Sequence, residues 1–415
     1  MSRYINPEIE GALAHFRRTA AVAKLIAHHC FLPSEEKDLL HAACMQQHRC
    51  SSLLEPESVA RLWADTFPGT VLILEDHVPV AVRGVLDAWD VPGSGTALES
   101  NLAGILRLAA AFDQEMEAQP ADCEEVCEIL ARLRSGVKGG LWPDVTIDAL
   151  IQATSPASIG NPESWRVPVF PQAALRALEI MRNPEASLAD LVDAAGLDPA
   201  IAGLTVQLAN SALFGSRART TTLSQAIMRL GFNTSRKVFL SAVMRPLFSS
   251  ARLQETWQHS LEVADLAEQL ARAAGKTEPA EAYLAGLLHD VGRLAILSVP
   301  LYDSARLHGL MSGGCPAMYA ENLLLRTDHA EFGAQICAGW RLSQDMVQAI
   351  RQHHRPEKTD SRLSHLLYLA EYLSGAEEDL PSVIRLEAAL KGSGLTLAAV
   401  NNCTVSALGN WLLAA

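Results

Sequence analysis

Apolar residues recur every three to four positions along most of the chain, and proline and glycine, not hairpin turns, cut the runs. From Pro7 to Cys30 the apolar positions include Ile9, Leu13, Phe16, Ala20, Ala23 and Ala27, the spacing of one helix face. The same rhythm marks Pro33 to Gln47, where Ser34-Glu35-Glu36 places a cap before acids, as suits a helix start. It returns over Pro79 to Trp89, Leu98 to Glu117 and Cys123 to Ser135. No segment sustains the period-two alternation of a sheet. The expected fold class is all-α.

A chain of 415 residues can bury two or three cores. The clearest interruption is Ser155-Pro156-Ala157-Ser158-Ile159-Gly160-Asn161-Pro162-Glu163-Ser164, rich in turn residues and without periodicity. It divides a helical domain over 1–155 from the rest, with 156–168 as linker. Residues 169–250 read as a compact helical subdomain. There Ser187 caps Leu188 to Ala195, Gly196 ends that helix, Asp198-Pro199 opens another, and Gly231 stops Leu223 to Leu230. Residues 251–415 form a histidine-rich helical part with a tail split by Gly392 and Gly394.

The net charge of −13 argues against a nucleic-acid binder, whose phosphate contacts need a basic surface. Residues 187–211 have the rhythm of a helix-turn-helix, but Pro199 to Asn210 carries no Lys or Arg, so packing is the expected role. Asn210-Ser211 is expected to satisfy backbone groups at a helix end. The N-terminal residues lack a signal-peptide core, and no run approaches the ~18 apolar residues of a membrane span. The expected location is the cytoplasm. There Cys30, Cys44, Cys50, Cys123, Cys127, Cys315, Cys337 and Cys403 read as small core hydrophobes.

Chemistry concentrates in the histidine-rich part. Gly286-Leu287-Leu288-His289-Asp290-Val291-Gly292 closes an apolar helical run with an adjacent His-Asp pair, flanked in sequence by His259, His329, His353, His354 and Glu371. A buried Asp needs a compensating cation or donor. Imidazoles and carboxylates without thiolates suit Fe, Mn, Zn or Co. The seven residues are therefore candidate ligands of a divalent metal. They equally fit a polar skeleton in which His and Asp hydrogen-bond one another and hold helices in register. His28, His29, His308 and His365 are expected at the surface or at helix ends.

Trp257-x-His259, His289-Asp290-x-Gly292, His329 in Asp328-His329-Ala330-Glu331-Phe332-Gly333, and His353-His354-x-Pro356 resemble the HD superfamily. Phe170-Pro171, Leu191 to Leu197, Asp198-Pro199, Leu208-Ala209-Asn210-Ser211-Ala212-Leu213-Phe214 and Ser224-Gln225-Ala226-Ile227-x-x-Leu230-Gly231 resemble the HDOD family within it. The resemblance covers about 165–400 and implies a signalling module without turnover. Catalytic relatives of the HD-GYP type carry a Lys after the His-Asp-x-Gly element, where this chain has Arg293. Their Gly-Tyr-Pro loop is replaced by Arg355-Pro356-Glu357-Lys358-Thr359-Asp360, and their last Asp ligand by Glu371.

A second, eroded copy is legible upstream. Ala14-His15-Phe16-Arg17-Arg18-Thr19-Ala20 resembles the segment around His259, 244 positions later. Ala42-Ala43-Cys44-Met45-Gln46-Gln47 resembles Ala285 to Asp290 at an offset of 243. A near-constant offset is what a duplicated scaffold gives. Gln46-Gln47 stand for the His-Asp pair, Val85 and Leu86 for the double His, and Trp89 to Gly95 for the Gly-Tyr-Pro loop. Ile105 to Asp113 resembles the last ligand helix, with Ala110 at the ligand position.

The resemblance implies HD-superfamily folds in tandem, a degenerate HD-GYP-like domain before an HDOD domain. The expected function is regulatory, through protein–protein or ligand binding. A divalent metal is the candidate cofactor of the C-terminal part, and none is expected in the N-terminal one. Candidate partners are signalling proteins, a phosphorylated small ligand and a second copy of the chain, with no nucleic acid and no membrane. The alternatives are a metal-dependent phosphohydrolase or phosphodiesterase, with Asp290 and Arg293 in catalytic roles, and a nucleotide sensor.

Overall fold

In a computed structural model of the chain, the described residues are 7–46, 80–118, 123–155, 180, 186–196, 198–214, 219–249, 253–296, 301–312, 315–375 and 383–414. They are helical, with no strand among them. The chain is all-α. Its contacts separate two compact units: Met1–Gly160 with Val299–Asp328 and Glu378–Leu380, and Asn161–Ser298 with His329–Glu377 and Pro381–Ala415.

Unit 1 begins with α1 (Pro7–His29), α2 (Ser34–Gln46), α3 (Val80–Asp90), α4 (Ala97–Ala118), α5 (Cys123–Lys138) and α6 (Asp144–Thr154). Helix α1 packs on α2, α4 and α6. Of the apolar face read from the sequence, Ala20, Ala23 and Ala27 of α1 are buried, as are Leu102, Ile105, Phe112, Ile129 and Ile147; the side chains of Ile9, Leu13 and Phe16 lie outside the described residues. Later in the chain, α14 (Leu301–Ser312) and α15 (Ala317–Leu325) complete the unit. They supply what α6 lacks at its end. Arg306 donates to the carbonyls of Ala153 and Ser155, and Arg326 Nη2 donates to Thr154 O at 2.7 Å. Cations on the last carbonyls satisfy orphan acceptors and oppose the helix dipole.

Unit 2 opens with α7 (Leu188–Gly196), α8 (Pro199–Ala209), α9 (Leu223–Leu230) and α10 (Phe232–Met244). Helix α9 has the expected bounds for visible reasons. Thr222 Oγ1 accepts from Gln225 N at 3.2 Å, and Gly231 turns the chain at φ +77°; a residue with a Cβ is strained there. Asn210 closes the loop between α8 and α9. Its amide donates to Val206 O (3.0 Å) and Thr220 O (2.8 Å), while Oδ1 accepts from Thr220 N (2.8 Å). Asn210 thus satisfies backbone groups past a helix end, while the buried Ser211 hydroxyl makes no hydrogen bond.

The rest of unit 2 is built on α11 (Gln254–Ala274), which packs on α12 (Pro279–Leu288). Leu261, Ala264, Leu266 and Leu270 are buried, each full leucine burial being worth about 1.5–3 kcal/mol. After α13 (Arg293–Ile296) the unit continues with α16 (His329–Gly339), α17 (Gln344–Arg351), α18 (Arg362–Ser374), α19 (Val383–Ser393), α20 (Leu397–Asn401) and α21 (Ala407–Ala414). Helix α18 packs along α11. Lys237 of α10 pairs with the buried acids Asp265 and Glu268 of α11, and Ser406 donates to both oxygens of Asp265 (2.6 and 2.8 Å). No helix among the described residues is long and apolar enough to cross a membrane.

Two expectations need correction: Cys127 is exposed on α5 and not a core residue, and His365 is not at the surface. His365 lies buried, at 4% exposure, with its Nε2 donating to Pro356 O at 3.1 Å, because α18 turns it under Gly392 of α19. His28 and His308 are exposed, and His29 is half-buried.

Candidate metal centre

The order of elements explains how distant residues meet. His259 lies on the first turns of α11 and Glu371 near the end of α18. His289 and Asp290 follow the last residue of α12, and Arg293 opens α13. His329 opens α16, while His353 and His354 sit in the turn after α17. Two glycines let the backbones come close enough. A Cβ at Gly286 would collide with Ala264 of α11, and one at Gly292 with the carbonyl of His329. Ser364 of α18 fixes the other side, its hydroxyl donating to Gln352 O at 2.9 Å beside the double His.

All seven candidate ligands come together. The rings of His259 and His289 are 5.1 Å apart, those of His289 and His353 5.2 Å, and those of His353 and His354 4.0 Å. His259 Nε2 is 3.0 Å and His289 Nε2 2.6 Å from Glu371 Oε1. His329 Nε2 is 2.9 Å from His354 Nε2. The donors fall into a triad of His259, His289 and Glu371 and another of His329, His353 and His354. Asp290 stands between them, with Oδ1 3.4 Å from His329 Nε2 and Oδ2 3.7 Å from His289 Nε2. Arg293 Nε donates to Oδ2 at 2.8 Å.

Tautomers follow from the partners. Carbonyl oxygen only accepts, so His289 Nδ1 donates to Gly286 O (2.8 Å) and His353 Nδ1 to Ile350 O (2.6 Å). In each neutral ring Nε2 then carries a lone pair. His353 Nε2 is buried and makes no hydrogen bond, whereas His289 Nε2 faces Glu371 Oε1 at 2.6 Å; a buried polar atom left without a partner is costly. A cation resolves that cost, and orientation of a ligating imidazole by a backbone carbonyl is how metal-binding histidines are held.

The charge states fit the same use. Burial, with His289 and His329 nearby, pushes His353 down to about 4, and burial with His353 and His329 takes His354 well below its usual value. Both rings are neutral at ordinary pH, as ligation requires. For Asp290 burial acts upward, but Arg293, His289, His329 and His259 outweigh it and hold the carboxyl below its usual range. Glu371 is likewise held well below by His289 and His259 despite burial. His259 is the exception: burial would lower it, but the facing Glu371 and Asp290 raise it to about 9, so a metal held there has to displace its proton.

The pattern of the HDOD domain family matches residues 167–356, which include His259, His289, Asp290, His329, His353 and His354. The chain carries an HDOD domain. An uncharacterized protein of Treponema pallidum (strain Nichols) is 28% identical over 196 residues, 46% of this chain and 38% of that protein. Ribonuclease Y of Geobacter sulfurreducens is 30% identical over 152 residues, 37% of this chain and 24% of the relative. The chain thus spans well under half the length of either protein. A solved structure from Marinobacter aquaeolei VT8, described as a proposed signal transduction protein, superposes with TM-score 0.50 at 24% identity, over 64% of this chain and 62% of that one. That likeness shows the fold.

Sequence reasoning did not single out the groups that position the HDOD ligands: Ser364, and the carbonyls of Gly286 and Ile350. Ser361-x-x-Ser364 at the start of a helix was the available signal for the first. Carbonyl partners carry no side-chain signal at all.

Proposed function

We propose that the protein is a regulatory, signal-transducing module whose HDOD domain holds a divalent metal as an anchor. It acts by binding a protein partner or a phosphorylated small ligand, without turnover. One observation carries the metal assignment: the buried Nε2 of His353 has no hydrogen-bond partner and, with His289 Nε2, belongs to groups of converging ligand atoms.

His259, His289 and Glu371 would hold one ion, His329, His353 and His354 a second position, with Asp290 between them. When bound, such an ion supplies Lewis acidity toward a phosphoryl oxygen or a water. The protein's own part is orientation. The Gly286 and Ile350 carbonyls fix ring rotation, and the pairing of Arg293 with Asp290 places a guanidinium at the rim, 20% exposed in its side chain. A planar guanidinium suits a phosphate from outside.

Absence of turnover is supported by the loop Arg355 to Asp360 in place of Gly-Tyr-Pro, and by Arg293 in place of Lys. The second reading, phosphoester hydrolysis on a small substrate such as a cyclic dinucleotide, is favoured by the complete ligand set and by the match to ribonuclease Y. Unit 1 is read as the degenerate, metal-free HD-GYP-like copy, serving as a partner-binding domain.

Elemental analysis of the full chain, purified without added metal, tests the assignment. We expect stoichiometric metal, lost in His289→Ala together with His353→Ala. Protein that neither retains nor takes up metal would end the metal reading. Metal-loaded protein that hydrolyses cyclic dinucleotides, with His289→Ala inactive, would replace the regulatory reading by the enzymatic one.

A further inference from the structure

Unit 1 contains a buried acid that the sequence pattern placed one turn away. Ala110 was the expected ligand position; the residue that faces α1 is Asp113, three residues on along α4 and fully buried. Positions three apart share a helix face, which is why the alignment slips there without a change of scaffold. His15 Nδ1 is 2.6 Å from Asp113 Oδ2. A histidine from the unit's first helix thus meets a carboxylate from a later one, as His259 of α11 meets Glu371 of α18. Gln47 and the side chain of Gln46 lie outside the described residues; Val85 is buried and apolar.

The difference lies one turn beyond each histidine. Three residues after His15 stands Arg18; three residues after His259 stands Glu262. Arg18 grips Asp113 with both ends of its fork, Nε to Oδ1 at 2.8 Å and Nη2 to Oδ2 at 3.0 Å. Its guanidinium also lies over the Tyr319 ring, 5.5 Å from the centroid. Cys44 of α2 is fully buried at the same place, its thiol pushed up to about 12 by burial and by the Asp113 charge. The pocket around the carboxylate is thus filled by side chains of unit 1 itself.

We propose that unit 1 supplies its own cation: the Arg18 guanidinium neutralises Asp113 where the HDOD unit uses a metal ion. A buried carboxylate must be neutralised, and a bidentate guanidinium does so without a ligand shell. Unit 1 therefore keeps its structure whatever the metal supply, and metal loading or loss changes the HDOD unit alone. The contrast with metal rests on the reading of unit 2 given above; the role of Arg18 does not.

The test uses the full chain, followed by thermal unfolding and metal content. Arg18→Gln leaves the buried carboxylate with His15 as its partner and without its guanidinium, and should lower the unit 1 transition by roughly 10 °C. Adding Asp113→Asn should recover most of that loss, and Mn²⁺ or Zn²⁺ should recover none. Arg18→Gln melting like the parent would overturn the proposal, as would a double variant no more stable than the single one. Metal that persists after His289→Ala and His353→Ala, and disappears on adding Asp113→Asn, would also overturn it. If the parent binds no metal at all, the HDOD assignment fails while the melting data still decide the role of Arg18.

Discussion

His15 meets Asp113 in unit 1 at 2.6 Å, and His259 meets Glu371 in unit 2 at 3.0 Å, yet the two carboxylates are neutralised differently. In unit 1 a guanidinium from the neighbouring turn closes the account, leaving a finished ion pair inside a packed bundle. In unit 2 the equivalent turn carries an acid, Glu262, and the carboxylate faces the imidazoles of His259 and His289, with His353 nearby keeping an Nε2 that makes no hydrogen bond. One arrangement is complete as it stands; the other fits the ion proposed above. Two helical units that each set a histidine against a carboxylate can therefore differ in chemistry through one residue beside that histidine.

The largest expected effect lies in unit 1. Asp113→Asn alone should destabilise it by about 3–5 kcal/mol, the usual cost of breaking a buried pair, with the same penalty in chelator and in metal-supplemented buffer. A penalty that changed with metal would erase the distinction between the units. Next comes metal removal. Stripping the ion should cost unit 2 about 2.7 kcal/mol at a free-metal concentration a hundred times Kd, and Glu371→Gln should abolish that increment. Hydrogen exchange should place the loosening in α11, α12 and α18 and leave α1 and α4 as protected as before.

A smaller effect is expected from transplanting the cation. Glu262→Arg sets a guanidinium three residues from His259, as Arg18 stands from His15, and should weaken metal affinity by about tenfold, or about 1.4 kcal/mol. Unchanged affinity would show that this position does not govern the choice of cation. Ser364→Ala should cost about 1 kcal/mol through the lost bond to Gln352 O, read as a lower melting temperature of the metal-loaded protein.

The mildest probe is pH. His15 and Arg18 hold Asp113 below the usual carboxylate range against the upward pull of burial. Its folded value is depressed, so its stabilisation of unit 1 is fully present above the ordinary value of about 3.9 and is lost as pH falls through the folded one. Acid titration of Arg18→Gln with Asp113→Asn should lack that part of the slope.

Much of the fold was legible because helix periodicity and punctuation are local. Helix α9 ends where Gly231 requires, Ser343 caps α17 through its hydroxyl to Met346 N, and α1 buries Ala20, Ala23 and Ala27 of the expected face. Helix α10 was not singled out: Phe232-Asn233-Thr234-Ser235-Arg236 carries polar and β-branched residues that suit a loop equally well, and packing on α8 and α11's neighbours sets it. The seven candidate ligands could be named from residue type, although the same types equally suit a hydrogen-bonded polar skeleton; their convergence is a fact of the fold. Ala110 was the position singled out on α4, whereas the acid that meets His15 is Asp113, three residues on; a helix face read from a pattern does not fix which turn bears the acid.

The sequence by itself determined the all-helical class, the bounds of helices with clear punctuation such as α9, and the residue types available for an ion. Those depend on spacing within a dozen residues. Only the tertiary structure decided which acid each histidine meets, which imidazole nitrogens are left bare, and that Arg18 belongs to Asp113. Such pairings join residues about a hundred positions apart, and they depend on how closely two helix backbones approach, a property of packing that no local pattern encodes.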